Sequence, residues 1–330
     1  MRRALQLARC GRQGASPNPM VGAVIVDSAG LIIGEGFHRL CGGPHAEVNA
    51  VRSVYDTYGA VAPEMLHEAT IYVTLEPCAH YGKTPPCAKL LIDEEVRRVV
   101  VGCVDPFAKV AGRGIAMLRE AGIEVVTGVL EDECKALNRR FFTAHTERRP
   151  YITLKWAQSV DGYIDRNRGP EEPAQKFSTA SGSVMVHRLR SLHDAIAAGS
   201  GTFIADRPKM DCRLWPGGRN PVRVAFDRRS RLPADAADVV LSDPDLKQAL
   251  SLLYSRGITS VLVEGGRTII EAFLKAGLWD SIRVEVSPDK MSEQGGVKAP
   301  AIPSVTPDGG PLIPTMIERI GRNTIYHYVC

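Results

Sequence analysis

Hydrophobic and polar residues divide the first part of the chain into a regular succession of short elements. Apolar residues recur at helical spacing in some segments, and in others they form short runs bounded by glycine, proline or aspartate. The pattern predicts helices over 2–10, 46–58, 87–95, 111–121 and 131–144, and strands over 21–26, 31–36, 69–75, 96–104 and 123–129. Helices that alternate with strands in this way favour an α/β/α layered domain.

The same kinds of segment resume after a charged stretch that ends in proline, Glu147-Arg-Arg-Pro150. This stretch predicts a domain boundary, with one domain over 1–146 and another over 147–330. In the second domain the pattern predicts helices over 183–192 and 267–276, and strands over 150–155, 195–198, 222–227, 239–241 and 259–264. Residues 287–311 are rich in proline and glycine and are predicted to form loops.

Composition is that of an ordinary globular protein. Of the 330 residues, 44% are hydrophobic and 24% are charged, and apolar runs are much shorter than a membrane span. The net charge of +4 is too small to indicate nucleic-acid binding, and the excess of basic residues lies after Thr146, which is compatible with a phosphorylated ligand there. The N-terminal segment lacks the apolar centre of a secretory signal, and the cysteines outside the motif described next have no framework spacing. We therefore expect a reducing, cytoplasmic location.

Two short motifs carry the first candidate chemistry. Pro44-His-Ala-Glu47 is followed by Glu76-Pro-Cys78 and then by Cys87. A neutral imidazole from His45 and two thiolates suit a three-ligand zinc site whose fourth position is open for water. Glu47 can move protons beside that water, as in zinc deaminases. The alternatives are unrelated cysteines or a structural zinc site, for which only His80 is a candidate fourth ligand.

Eight residues separate the two cysteines, where nucleobase deaminases usually have two, and this spacing points to a particular family. Four segments resemble the deaminase half of the bifunctional deaminase/reductase family of riboflavin biosynthesis: G-A-S-P-N-P-M-V-G (14–22), G-F-H-R-L-C-G-G-P-H-A-E-V-N-A (36–50), E-P-C-A-H-Y-G-K-T-P-P-C (76–87) and D-P-F-A-K-V-A-G-R-G (105–114). The second half more weakly resembles the family's reductase, over 155–162, 205–213 and 261–266. The resemblance implies a cytidine-deaminase-like α/β/α layered domain followed by a dihydrofolate-reductase-like α/β domain.

Two consecutive reactions are implied by this resemblance. The first is zinc-dependent hydrolytic deamination of 2,5-diamino-6-ribosylamino-4(3H)-pyrimidinone 5′-phosphate, with one zinc ion per chain and Glu47 as the proton-transfer residue. The second is NADPH-dependent reduction of the ribosyl group, which gives 5-amino-6-ribitylamino-uracil 5′-phosphate. The residues implied to contact the first substrate are Asn18, His38, His80 and Lys83, of which the flexible cation Lys83 is the expected phosphate partner. Without the resemblance, Asn18 could equally stabilise a turn, His38 could be a satisfied interior histidine, and Lys83 a solvated surface lysine.

The second domain has no G-x-G-x-x-G segment, so a Rossmann cofactor site is not expected. Gly265-Gly266 between a predicted strand and a predicted helix offers another place for a pyrophosphate, because glycine lets the phosphate approach the backbone and the helix N-terminus presents free N–H groups. The same geometry is common in folds without such a site. With the resemblance, we expect the substrate to be held by Lys155, Gln175, Arg190, Met210, Arg213 and Glu264. We expect NADPH to contact Ala157, Phe177, Thr202, Asp206, Arg228, Gly266, Arg267, Thr268, Ile269, Ile270, Glu271 and Ala272.

The second half also departs from the family. Arg207 stands before Pro208 where a second aspartate is usual, and Gln158 stands where a small residue is common. These changes concern the details of substrate contact more than the fold. No proton donor for the reduction can be identified from the sequence.

Two other functions stay open at this point. One is a zinc deaminase of other nucleosides or nucleotides, or of tRNA adenosine, with an inactive second domain; the cysteine spacing and the second-half motifs argue against it. The other is a non-catalytic zinc-binding module, which any release of ammonia would exclude. For the favoured function we expect a small phosphorylated pyrimidine substrate, neither a nucleic-acid nor a membrane partner, and a homo-oligomer, either a dimer or a tetramer.

Overall fold

The chain forms two compact units, Met1–Glu147 and Arg148–Cys330. The computed structural model describes residues 1–81, 85–107, 111–169, 172–233, 235–291 and 295–330. None of the helices in these ranges is long and apolar enough to cross a membrane. All eight cysteines lie in the described ranges, and each is a free thiol.

The first unit is built on a five-stranded sheet with the order β2-β1-β3-β4-β5. Its strands are β1 (Gly22–Val26), β2 (Ile32–Phe37), β3 (Thr70–Leu75), β4 (Arg98–Cys103) and β5 (Glu124–Val126). Its helices are α1 (Arg2–Arg9), α2 (Ala46–Tyr58), α3 (Ala62–His67), α4 (Cys87–Asp93), α5 (Arg113–Glu120), α6 (Glu131–Leu137) and α7 (Arg139–Glu147). Strand β1 is antiparallel to both of its neighbours, whereas β3, β4 and β5 are parallel.

The apolar core of this unit lies between the sheet and its helices. Its members are alternate residues of the central strands and the inner faces of the helices, among them Ile25, Ile71, Val73, Val54, Leu66 and Leu91. Helix α2 packs unusually close to β2, because a Cβ on Gly36 would overlap the backbone of Ala46 and Ala50. This glycine therefore fixes the position at which α2 begins, and His45 and Glu47 lie at that end of the helix.

The second unit contains an eight-stranded sheet with the order β10-β9-β8-β11-β6-β12-β15-β14, and a separate pair, β13 and β7. Its strands are β6 (Tyr151–Ser159), β7 (Tyr163–Asp165), β8 (Ala195–Gly199), β9 (Val222–Phe226), β10 (Val239–Leu241), β11 (Ser260–Glu264), β12 (Ser281–Ser287), β13 (Val297–Lys298), β14 (Met316–Ile320) and β15 (Asn323–Val329). Its helices are α8 (Ala180–Ser191), α9 (Ser200–Asp206), α10 (Leu246–Ser255) and α11 (Arg267–Ala276). The six strands from β10 to β12 are parallel, and β15 and β14 continue the sheet antiparallel.

The two faces of this sheet differ in polarity. One face packs against α10 and α11 in a core that includes Ile152, Leu154, Val261, Leu250 and Phe273. On the other face, Glu264 of β11, Lys155 of β6 and Arg283 of β12 are neighbours in register across three adjacent strands. Polar residues therefore occupy the face that α8 covers, where Gly182 approaches Glu285 of β12.

Most predicted elements are present within a few residues, and the differences have local causes. The helix predicted over 131–144 is two helices, because Asn138 leaves the helical conformation and its side-chain amide bonds both the N–H and the carbonyl of Met20 at 2.8 Å. Eight described elements were not predicted, namely α3, α9, α10, β7, β12, β13, β14 and β15. The predicted loop over 287–311 begins at the last residue of β12 and contains the short strand β13, and its other described residues are in neither helix nor extended strand.

Candidate active sites

Three segments of the first unit bring His45, Cys78 and Cys87 together near the carboxyl end of β3. His45 is the N-cap of α2, Cys78 follows β3, and Cys87 is the first residue of α4. Nδ1 of His45 lies 3.6 Å from Sγ of Cys78 and 3.3 Å from Sγ of Cys87. Zinc bonds of about 2.3 Å to sulfur and about 2.0 Å to nitrogen in a tetrahedral arrangement require nitrogen–sulfur separations of about 3.5 Å. The three side chains therefore fit a zinc ion.

One of the two thiols, that of Cys78, is already biased toward the thiolate form that binds a metal. A hydrogen bond with the Cys87 side chain, followed by the effect of His45, lowers the pKa of Cys78 to about 4. The backbone N–H of Cys87, at the start of α4, donates to Sγ of Cys78 at 3.2 Å. Helix N-termini stabilise thiolates in this way. The same side-chain hydrogen bond raises the pKa of Cys87, so the Cys87 side chain keeps its proton and donates this hydrogen bond to Cys78.

Glu47 lies in the first turn of α2, two residues after the metal-binding histidine, and its side chain is buried. Burial raises the pKa of Glu47 to about 7. A carboxyl group with a pKa near neutrality can both accept and release a proton at physiological pH. The structure therefore places a carboxyl group suited to general acid/base chemistry beside the three side chains that could hold a metal ion.

Asn18 and His38 form one hydrogen-bonded unit in the same pocket. Nδ1 of His38 lies 3.1 Å from the carbonyl oxygen of Pro44, and Nε2 lies 3.1 Å from Nδ2 of Asn18. A carbonyl only accepts, so the neutral ring carries its proton on Nδ1 and accepts from the Asn18 amide at Nε2. Burial lowers the pKa of His38 and so favours this neutral form.

A cavity of about 280 Å³ is lined by Asn18, His38, His45, Glu47 and Cys78. Every deaminase residue predicted from the sequence lines it except Cys87, which reaches the site from the buried start of α4, and Lys83, which lies outside the described residues. Sequence reasoning missed Asp105 and three aromatic residues of the wall, Phe107, Phe141 and His145. The ring centroid of His145 is 4.4 Å from that of Phe141 and 5.2 Å from that of Phe107. Phe141 lies in the helix predicted over 131–144 and His145 lies one residue beyond its predicted end, so their spacing of four residues was a signal that could have found them.

Glu76 was quoted in the zinc motif but given no role, and the structure shows what it does. Its buried carboxylate accepts four backbone hydrogen bonds, from the N–H groups of Asp105, Gly112, Gly114 and Ile115 at 2.9–3.3 Å. These donors belong to the segment that carries Asp105 and to the first turn of α5. Glu76 therefore joins the pocket wall to the strand end from which Cys78 follows.

The second unit has a cavity of about 1360 Å³ near the carboxyl ends of β6, β8, β9 and β11. Fourteen predicted reductase residues line it: Lys155, Ala157, Gln175, Phe177, Arg190, Thr202, Asp206, Arg228, Glu264, Gly266, Arg267, Thr268, Ile269 and Ala272. Loops at the carboxyl ends of parallel strands are the usual ligand-binding edge of α/β sheets.

Four predicted reductase residues do not line this cavity within the described part of the chain, and each has a physical reason. Met210 and Ile270 are buried in apolar clusters, so their side chains serve packing. Arg213 is half exposed and forms an ion pair with Asp211 at 2.5 Å. Glu271 forms an ion pair with Arg267 one helical turn earlier. A family motif places the backbone but does not determine which side chains of a helix turn toward the ligand.

Three charged side chains form the polar end of the cavity. Both carboxylate oxygens of Glu264 accept from the guanidinium of Arg190, at 3.1 and 2.8 Å. Burial alone would raise the pKa of Glu264, but the charges of Lys155 and Arg190 outweigh it and lower that pKa to about 2. Burial lowers the pKa of Lys155, which is adjacent to Glu264 in register. The cluster is thus a preorganised set of donors and one acceptor.

Directly after Glu264, the glycine pair Gly265-Gly266 leaves open backbone at the start of α11. Gly266 is the N-cap of α11, and a Cβ placed on it would find its nearest neighbour, Oγ1 of Thr202, at 4.0 Å. Free N–H groups at a helix N-terminus suit phosphate oxygens. Basic side chains also line this cavity: Arg228, Arg229, Arg231, Lys247, Arg267 and Lys275. The residues present therefore fit a phosphorylated dinucleotide such as NADPH.

Asp206 was expected to contact the cofactor, but its carboxylate is also bound by an arginine of the protein. It lines the cavity, but its carboxylate is bound by Arg168 at 2.5 Å, and Arg168 also bonds Asp165 at 2.7 Å. Arg168 lines the cavity and was not predicted. Asp206 therefore holds the segment after β7 against the end of α9 in addition to facing the cavity.

Residues 1–103 match the family model of the cytidine and deoxycytidylate deaminase zinc-binding region, and residues 150–296 match that of the RibD C-terminal domain. The chain is 38% identical to riboflavin biosynthesis protein RibD of Aquifex aeolicus, over 89% of this chain and 87% of the relative. It is 35% identical to the RibD protein of Escherichia coli, over 87% and 86%. The chain belongs to the RibD family.

Solved structures of RibD proteins agree over the full length. One is the diaminohydroxyphosphoribosylaminopyrimidine deaminase/5-amino-6-(5-phosphoribosylamino)uracil reductase of Thermotoga maritima. It superposes with a TM-score of 0.85 at 35% identity, covering 100% of this chain and 97% of that one. RibD of Acinetobacter baumannii gives a TM-score of 0.84 at 32% identity, covering 99% and 97%. RibD membership confirms the predicted fold class, the bifunctional deaminase and reductase function, and zinc and NADPH as the cofactors.

Proposed function

We propose that this chain performs both RibD reactions on one phosphorylated pyrimidine. In the first, water replaces the amine of 2,5-diamino-6-ribosylamino-4(3H)-pyrimidinone 5′-phosphate and ammonia leaves. In the second, the ribosyl group takes up a hydride and a proton to give 5-amino-6-ribitylamino-uracil 5′-phosphate. What supports the proposal is that each unit has its own cavity, lined by the residue types that its reaction requires.

In the deaminase, His45, Cys78 and Cys87 are proposed to hold zinc, which supplies the acid that activates water at neutral pH. Glu47 then takes a proton at its carboxylate, delivers it to a ring nitrogen of the substrate, and finally protonates the departing amine. Its pKa of about 7 suits both directions of transfer. The Asn18–His38 unit and His80 are proposed to orient the substrate, and Lys83 to bind its phosphate.

In the reductase, NADPH supplies the hydride. The open N-terminus of α11 at Gly266 and the basic residues around it are proposed to bind the cofactor's phosphates, with Ala157, Phe177, Thr202 and Asp206 along the rest of the cavity. Lys155, Arg190 and Glu264 are proposed to bind the polar groups of the ribosyl chain together with Gln175. Orientation of the two reactants is the protein's main contribution to a hydride transfer.

The experiment that tests this function uses one purified protein and one substrate. The diaminopyrimidine substrate is incubated with and without NADPH, and ammonia, NADPH absorbance and product mass are followed together. We expect ammonia release in both samples, and NADPH oxidation with two added hydrogens only when NADPH is present. Deamination of free nucleosides instead, with no oxidation of NADPH, would favour a deaminase with an inactive second unit.

A homo-oligomer, the absence of a nucleic-acid partner and a cytoplasmic location stay predictions of the proposed function. Size-exclusion chromatography with light scattering would distinguish a monomer from the predicted dimer or tetramer. The domain division at 146/147 is likewise proposed, and expression of residues 1–146 alone, followed by zinc analysis, would test it.

A further inference from the structure

Glu285 is a fully buried carboxylate that the two proposed reactions do not use. It lies on β12, with Ala157 of β6 and Ile325 of β15 as its neighbours in register. Its exposed fraction is 0%. A buried carboxylate is costly unless it is both hydrogen-bonded and balanced by positive charge, so its partners indicate its role.

The hydrogen bonds of Glu285 lead to one segment of the reductase cavity. Oε2 accepts from the hydroxyl of Ser178 at 2.8 Å, and Oε1 accepts from Nδ2 of Asn323 at 2.7 Å. The same amide nitrogen of Asn323 donates to the carbonyl oxygen of Phe177 at 2.8 Å. Two consecutive residues, Phe177 and Ser178, are therefore bonded to β12 and β15.

This segment is part of the cavity wall. Gln175 and Phe177 both line the cavity, and the Phe177 side chain packs with Tyr163, Met291 and Ala157. Ala157 also lines the cavity and is the register neighbour of Glu285. Glu285 is not among the described residues that line the cavity, and it meets the wall through Ser178 directly and through Asn323, which bonds Phe177.

Helix α8 and Arg283 both lie close to the carboxylate of Glu285. A Cβ on Gly182 would lie only 2.8 Å from Oε1 of Glu285, so the first turn of α8 approaches the carboxylate where a larger residue would not fit. The N-terminus of α8 and the guanidinium of Arg283, 3.8 Å away, both present positive charge to it. Nη1 of Arg283 has no hydrogen-bond partner among the described residues. The negative charge of Glu285, 3.8 Å away, therefore balances the positive charge of this buried guanidinium.

We propose that Glu285 is a positioning residue of the reductase, which acts by fixing residues 175–178 so that Gln175 and Phe177 face the bound reactants. Glu285 does not touch the reactants itself. The inference rests on the proposed reductase activity, and it assigns a role to a strand that is remote in sequence from the motifs of the site. Loss of its hydrogen bonds frees the wall segment without removing any residue that lines the cavity.

The first test measures the wall segment directly in the cofactor-free protein. Ser178→Ala removes one hydroxyl, and Ser183→Ala, whose hydroxyl donates to the nearby carbonyl of Thr179, is the matched control. We expect hydrogen exchange over 174–179 to rise in Ser178→Ala and Glu285→Ala, with wild-type exchange in Ser183→Ala and in the strands β8 and β11. Unchanged exchange over 174–179 in Ser178→Ala and Glu285→Ala would overturn the proposal.

The second test measures KM and kcat of the reductase separately. The deaminase on the same chain is the internal control. Glu285→Ala is expected to raise the reductase KM for NADPH or substrate about tenfold, which is the effect of losing hydrogen bonds to a charged group. We expect a smaller fall in the reductase kcat and an unchanged rate of ammonia release. Glu285→Gln keeps the shape and an acceptor for Asn323, so it should recover most of this loss. Equal losses in the Gln and Ala variants, or wild-type KM values in both Ser178→Ala and Glu285→Ala, would contradict a positioning role.

The failure of this inference is distinguishable from a failure of the proposed function. A wild-type protein that does not oxidise NADPH with the deaminated substrate overturns both. A wild-type protein that does so, together with a Ser178→Ala variant unchanged in exchange and KM, overturns only the role of Glu285. If Glu285→Ala does not fold, Ser178→Ala decides the question alone.

Discussion

Oε1 of Glu76 accepts a hydrogen bond from the backbone N–H of Gly114, at a distance of 2.9 Å. Through this contact the strand end before Cys78 holds the first turn of α5, and Gly114 is close enough that a Cβ on it would overlap the carbonyl oxygen of Pro77. Zinc binding and the pocket wall around Asp105 therefore depend on the same small region. This dependence can be tested without touching a metal ligand.

Gly114→Ala should destabilise the first unit by about 1–3 kcal/mol, because an extra methyl group forces the backbone of Pro77 to move. We expect lower zinc retention during dialysis against a weak chelator and a lower midpoint of thermal unfolding. Gly169→Ala, where a Cβ meets open space, is the control and should behave like the wild type. Wild-type stability and zinc retention in Gly114→Ala would show that the close approach to Pro77 is not required.

Cys87→Ser should lose most of its zinc, because a serine hydroxyl does not replace the thiolate that completes the three-ligand set. Metal analysis of the purified protein measures this directly, and we expect about one zinc ion per wild-type chain. Cys10→Ser, at an exposed cysteine, is the control and should keep full zinc content. Full occupancy in Cys87→Ser would mean that the ligand set is wrong.

Glu47→Gln should keep zinc but lose deamination by about 10²–10⁴-fold, because the amide preserves shape and cannot accept the proton. The measurement pairs metal analysis with ammonia release on the same sample. Deamination near the wild-type rate would remove Glu47 from the mechanism, whatever the zinc content.

Glu264→Gln should destabilise the second unit by about 3–5 kcal/mol at pH 7, because it leaves the partly buried Arg190 and Lys155 without their anion. The lowered pKa of Glu264, about 2 in the folded chain against 4.5 as its ordinary value, sets the pH dependence. The stabilisation is fully present above pH 4.5 and is lost as the pH falls from there toward 2, and the shift corresponds to about 3 kcal/mol. Denaturant unfolding of both proteins at pH 7 and pH 3 should therefore show a smaller difference at pH 3. An equal difference at both values would contradict an ionised Glu264 in the folded state.

The sequence predicted the deaminase more completely than the reductase, for physical reasons. Zinc binding requires particular residue types at short spacings, so His45, Glu47, Cys78 and Cys87 are visible in two motifs. In the reductase, the ligand-facing positions of α11 depend on how that helix rotates against the sheet, and so Ile270 was predicted at the site although it lies in the core.

Strand β12 shows a second limit of sequence analysis. The segment Ser-Ile-Arg-Val-Glu-Val-Ser alternates apolar and polar residues as a half-exposed strand would, yet both Arg283 and Glu285 are buried. They can be buried because each neutralises the other and because Ser178 and Asn323 come from distant parts of the chain. Long-range partners of this kind leave no local signal, and the four backbone donors of Glu76 were missed for the same reason.

Two sites that share no residue act in one chain. Measuring both half-reactions on the variants Glu47→Gln and Gly266→Val tests this most directly. Gly266→Val places a branched side chain at the open start of α11, where φ is −67° and the space accepts it, so the fold should persist while NADPH binding weakens. We predict that Glu47→Gln still reduces the deaminated ribosylamino-uracil with NADPH, and that Gly266→Val still releases ammonia from the diaminopyrimidine. Loss of NADPH oxidation in a folded Glu47→Gln protein supplied with the deaminated substrate would contradict two separate sites and point to a shared one.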